Sequence, residues 1–194
     1  MKQKIRKWIS TTVAAALAMA SFSCGNEFTR SASPVELLVS NTQEIFVIDL
    51  KPDAPGCDTP GGEIKVSAVL KNPGTGVDQR FNDVRLTRYR VSYVRTDGGT
   101  LVPAPFVKSH EAILTPGGAD AELSDFVVFQ IGALDLAPFA ALNPRNGGRD
   151  PETGRIFISM DVIVEIFGET LAGANVYGRT RFPLDFCFDC GGCR

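Results

Sequence analysis

The chain has 194 residues, with 20 Lys and Arg against 22 Asp and Glu, a net charge of −2. A mildly acidic balance argues against nucleic-acid binding, where affinity comes mainly from neutralising phosphates. The length suffices for one domain with a sizeable core.

The first residues, MKQKIRKWISTTVAAALAMASFSCG, read as an export signal and not as part of a fold. Lys2, Lys4, Arg6 and Lys7 form a basic flank, and Trp8 to Ala20 form a short apolar stretch rich in Ala. The stretch is well below the ~20 residues needed to span a bilayer. Two cleavage readings stand. Ala18-Met19-Ala20 is an A-x-A site for the general signal peptidase. Ser21-Phe22-Ser23-Cys24, followed by Gly25-Asn26, resembles the lipobox of bacterial lipoproteins. That resemblance implies that Cys24 is acylated and becomes the mature N-terminus. With Gly25 in place of Asp, it implies sorting to the outer membrane. The alternative is a soluble periplasmic or secreted protein. Cysteine parity favours the lipoprotein, because removing Cys24 from the five cysteines leaves an even set that can pair fully.

Loss of the signal takes four basic residues and no acidic one, leaving 16 against 22, a net of −6. Such a domain is not drawn to anionic lipid by charge, so acyl chains would have to hold it at the membrane. The expected organisation is a signal peptide over 1–23, a polar tether over 24–34 and a single domain over 35–194.

The body reads as β-structure. Glu44 to Leu50 is a strand candidate, and Glu63 to Leu70 alternates with Ile64, Val66, Ala68 and Leu70 inward. Val84 to Arg95 also alternates, but its phase slips: Val84 and Leu86 share one face, Tyr89, Val91 and Tyr93 the other. One extra residue near Thr87-Arg88 repairs the register, as a β-bulge does. Glu122 to Ile131 is a further strand candidate, and Leu134 to Leu142 carries a weak helical signal read as a short turn. In Ile156 to Ile166, apolar side chains recur at Ile156, Ile158, Met160, Val162, Val164 and Ile166. Arg155 to Phe167 is then a long strand of roughly 40 Å. GETLAGAN turns the chain into a second long strand ending at Phe186, giving a long antiparallel hairpin.

At least six strands at hairpin spacing, with no βαβ rhythm, predict an all-β, antiparallel two-sheet sandwich of about seven strands. Its strand order resembles immunoglobulin-like domains, as an architecture only. An up-and-down barrel is the alternative.

The chain closes on CFDCGGCR, with Cys187, Cys190 and Cys193 joining Cys57 as a set of four. In a reducing compartment these would suit a zinc or iron–sulfur site. Outside the cytosol, thiols pair as disulfides. A redox pair needs a C-x-x-C at a helix N-terminus, and Cys187 instead follows a strand beside Asp185 and Asp189. Four cysteines allow three connectivities. Cys57, in a loop near the start of the domain, is expected to bridge to the tail, and the other two to close a small local loop.

Other candidates for chemistry are few. His110 stands in VKSHEAIL without a nucleophile motif, and a surface role is expected. Asp120, Glu122, Asp125, Asp150 and Glu152 are loop carboxylates without a calcium-loop pattern. Arg85, Arg88, Arg90 and Arg95 are expected to give one strand a basic outer face. The reading is a non-enzymatic cell-envelope lipoprotein that binds a protein or glycan partner or has an assembly role, with no cofactor. The alternative is a metal-binding or thiol-redox protein using Cys57, Cys187, Cys190 and Cys193.

Overall fold

In the computed structural model, the described residues are 33–41, 46–53, 64–74, 79–123 and 126–192. Those from Pro34 onward belong to one compact unit. The architecture is all-β in two sheets. One sheet has three strands, β1 (Val35–Asn41), β3 (Ile64–Leu70) and β6 (Ala121–Glu122), in the order β1-β3-β6. The other has five: β2 (Val47–Asp49), β4 (Val84–Arg95), β5 (Phe106–Leu114), β7 (Phe157–Thr170) and β8 (Asn175–Cys187). Their order is β2-β8-β7-β4-β5, antiparallel throughout except for the parallel pair β2–β8.

The long hairpin forms as its alternation demands. β7 and β8 stay in register from Phe157↔Cys187 to Glu169↔Asn175. Ile158, Met160, Val162, Val164 and Ile166 are buried on the inner face, opposite Phe186, Leu184, Phe182, Thr180 and Gly178. Ile156 departs from the expected pattern: the strand begins one residue later, and Ile156 is 61% exposed. At the turn, the Thr170 hydroxyl accepts from Ala174 N at 2.9 Å, and Gly173 takes φ +85°.

The phase slip in β4 is a bulge. Leu86, Thr87 and Arg88 oppose only Gly168 and Phe167 of β7. Thr87 uses its freedom to donate its hydroxyl to Phe167 O at 3.2 Å. On either side of the bulge the apolar residues point inward: Val84 and Leu86 before it, Tyr89, Val91 and Tyr93 after it.

Both sheets feed one core, to which β1 adds Val35 and Leu37, and β3 adds Ile64, Val66 and Ala68. β1 crosses close over β8 at Gly178. A Cβ there would lie 2.5 Å from Val39 Cγ2 and 2.9 Å from Leu37 Cβ, so this inward-facing position has room only for hydrogen.

Glu122 to Ile131 does not form the expected strand. Only Ala121 and Glu122 pair with β3, and the chain then leaves the sheet. Two tyrosine hydroxyls take the role of a neighbouring strand. Val127 N donates to Tyr89 Oη at 3.3 Å, and Tyr93 donates to Val128 O at 2.7 Å. Leu123, Phe126, Val128 and Phe129 are buried, so the apolar content of the segment serves as anchors. Leu134 to Leu142, expected as a short turn, holds the 3-10 turn Phe139–Leu142, flanked by others at Ile131–Ala133 and Pro144–Asn146. Phe139 stacks against Phe186 with ring centres 4.7 Å apart, which seats these turns on the core.

Candidate functional site at the cystine loop

Cys187, the last residue of β8, forms a disulfide with Cys190, closing the small local loop expected of two tail cysteines. Cys24, Cys57 and Cys193 lie outside the described residues. The parallel pair β2–β8 brings the loop beside the start of the domain, with Leu50 N donating to Cys187 O at 2.8 Å.

Asp49 organises this junction. Its Oδ1 accepts from Lys51 N at 3.0 Å and Asp189 N at 2.9 Å. Its Oδ2 accepts from Cys190 N at 2.9 Å and Gly192 N at 3.0 Å. Burial pushes the Asp49 pKa up, but these four backbone N–H groups outweigh it and hold the carboxylate below its ordinary range. Lys51 adds an exposed ion pair to Asp189 at 2.7 Å. The N–H groups that would be free to stabilise a thiolate at this C-x-x-C are therefore directed at a carboxylate.

A pocket of about 240 Å3 opens beside the loop. Leu50, Leu134, Phe139 and Phe188 supply apolar walls, and Phe188 lies inside the disulfide ring between Cys187 and Cys190. Asp135, Asn143 and Asn146 supply polar groups. The sequence alone does not reveal this pocket, since its walls come from three separate segments, Leu50 and Pro52, Leu134 to Asn146, and Phe188.

The second cluster of charge is internal and corrects an expectation. Arg95 is not on the basic outer face: its side chain is 1% exposed. After the bulge, Tyr89, Val91, Tyr93 and Arg95 follow one another on the inward face at period two. Arg95 Nε and Nη2 form a fork to Asp97 Oδ1 and Oδ2 at 2.7 and 2.8 Å. Nη2 also donates to Asp150 Oδ2 at 2.8 Å, and Nη1 to Leu101 O at 3.2 Å. Glu152 caps the arrangement by accepting from Thr100 N and Leu101 N, both at 2.8 Å. Gly99 folds over the guanidinium so closely that a Cβ would lie 2.5 Å from its carbon. Burial raises the Asp97 pKa, but hydrogen bonds from Arg95, Gly99 N and Ser159 N bring it down to about 2. Glu152, Asp150 and Asp97 are thus partners of an internal cation, a latch between the end of β4 and the 150–153 turn.

The remaining candidates are dispersed. Glu122 pairs with Lys65 across strands at 3.5 Å, Asp120 is exposed, and Asp125 lies outside the described residues. His110 is half-buried on the edge strand β5. Arg85, Arg88 and Arg90 do share the outer face, where Arg88 lies 4.9 Å over the Phe167 ring and Arg90 lies 3.7 Å from Glu165. Among the described residues, no group of three or more His, Cys, Asp or Glu side chains is placed to hold a metal ion. No family model matches the chain, and no characterised protein or solved structure matches it.

Proposed function

We propose that the chain is an exported lipoprotein, acylated on Cys24, whose non-enzymatic immunoglobulin-like β-sandwich is held by a polar tether at the outer membrane and binds a protein or glycan partner there. The observation that carries this reading is the Cys187–Cys190 disulfide. Stable disulfides belong to oxidising compartments. That agrees with a basic, short apolar leader and with a parity of cysteines that sets Cys24 aside. Cys57 and Cys193 are then the remaining pair. Gly192 is fixed on Asp49, and Asp53 is four residues short of Cys57, a reach of at most ~14 Å when extended. Two sheets of three and five strands with a long closing hairpin support the immunoglobulin-like reading.

Detergent-phase partition of the full chain, expressed with its leader in a Gram-negative host, tests the anchor. The wild type is expected in the detergent phase, and Cys24→Ser in the aqueous phase or stalled unprocessed. A Cys24→Ser protein that is cleaved after Ala20 and partitions like the wild type overturns the lipoprotein reading. Four titratable thiols, or stoichiometric zinc or iron in protein from an oxidising compartment, would instead favour the metal or redox alternative.

A further inference from the structure

We infer that the pocket beside the cystine loop binds one neutral sugar ring, the end unit of a glycan. This rests on the reading that the chain works by binding, and it supplies the site and the ligand chemistry. At about 240 Å3 the pocket falls below the ≈300–1,000 Å3 of sites for drug-sized ligands, so it has room for a single small ring.

The polar groups decide which ring. Asn143 Oδ1 is engaged by Arg145 N at 3.0 Å, leaving the Asn143 amide N–H2 to donate. Asn146 Nδ2 is engaged by Ala140 O at 2.8 Å, leaving the Asn146 Oδ1 to accept. Asp135 forms no ion pair among the described residues and offers two accepting oxygens. The pocket therefore presents a donor and several acceptors at once, against aromatic and aliphatic walls. A hydroxyl both donates and accepts, so a polyhydroxylated ring can answer every one of these groups. An anion would meet the Asp135 carboxylate, and a cation would leave the Asn143 donor opposed by a donor. The C–H face of a sugar is apolar and packs on Phe188, the part-exposed aromatic of the lining.

The tail motif acquires a role here. Phe188 is held in place by the disulfide on either side of it and by the hydrogen bonds of Asp49 to the loop. Opening that ring frees one wall of the pocket.

Saturation-transfer NMR on the full, oxidised chain with glucose, galactose, mannose and N-acetylglucosamine tests the inference. At least one sugar is expected to bind with Kd on the order of 1 mM. Asp135→Ala, at an exposed position, should weaken it roughly tenfold, as should Phe188→Ala and the double change Cys187→Ala with Cys190→Ala. Butylammonium serves as the cationic probe. Butylammonium binding with no sugar binding overturns the inference, as does the absence of transfer to all four sugars. Sugar binding unchanged in both Asp135→Ala and Phe188→Ala also overturns it. Membrane partition through Cys24 is read separately, so failure here leaves the anchor standing, and the reverse holds too.

Discussion

The carboxylate of Asp49 accepts the backbone N–H of Gly192 at 3.0 Å, across 143 positions of sequence. With three further N–H groups on the same two oxygens, one side chain gathers the C-terminal loop onto β2.

Removing that acceptor should release the tail while the hairpin persists. Asp49→Ala leaves three loop N–H groups without a partner, at a cost of about 1–3 kcal/mol once water reaches some of them. Hydrogen exchange is expected to accelerate at residues 189–192 and along β2, with little change in β4 and β7. Unchanged exchange at 189–192 would mean that the disulfide alone holds the loop.

Peptide mapping of the non-reduced protein is expected to yield Cys187–Cys190 and a second bridge between Cys57 and Cys193. The second bridge closes a loop of well over 100 residues, worth about 4–5 kcal/mol in the chain-entropy model. Reduction should therefore lower the melting temperature and free the tail and the first strands. Recovery of Cys57 as a free thiol in native protein would refute the pairing.

Arg95→Met strips the counter-charge from two buried carboxylates and should cost about 3–5 kcal/mol, with Arg95→Lys intermediate because it cannot reproduce the fork. A pH series gives the sign. The Asp97 pKa falls from an ordinary 3.8 to about 2 on folding. Its contribution, about 2–3 kcal/mol, is thus complete above the unfolded value and is lost as pH drops through about 4 toward 2. Urea midpoints at pH 6 and pH 3 should diverge less in Arg95→Met than in the wild type. An equal divergence would place the acid sensitivity elsewhere.

Gly178→Ala forces a methyl group into the crossing of β1 over β8, where Val39 Cγ2 already stands 2.5 Å away. A loss of about 1–3 kcal/mol is expected. Val39→Ala in the same chain should recover much of it, a coupling that a double-mutant cycle measures. Additive losses would show that the glycine is required for another reason.

How much of this was legible in the sequence depends on how local each cause is. The hairpin and the bulge at Thr87 rest on alternation within one segment, and both formed as read. The inward place of Arg95 follows from the same alternation carried two residues beyond Tyr93, but its charge masked it. Glu122 to Ile131 misled because its apolar residues are anchors for an irregular segment, satisfied by Tyr89 and Tyr93 from another strand. β1 and β5 were not singled out. In β1 the exposed Leu38 stands between Leu37 and Val39 and blurs the alternation, and β5 is an edge strand whose Val107, Ser109 and Ile113 face solvent. The role of Asp49 had no local signal, because its partners are brought to it by the parallel β2–β8 pair.

That parallel pair also sets an order of events during biosynthesis. β2 can find its neighbour only after residues 185–187 have emerged, and Asp49 must wait for Gly192. Until then its carboxylate remains in water and the N-terminal part of the sheet stays open. Contacts of such separation form slowly and late. A junction that cannot lock until residue 192 is made leaves β2 without its neighbour through the synthesis of everything between them.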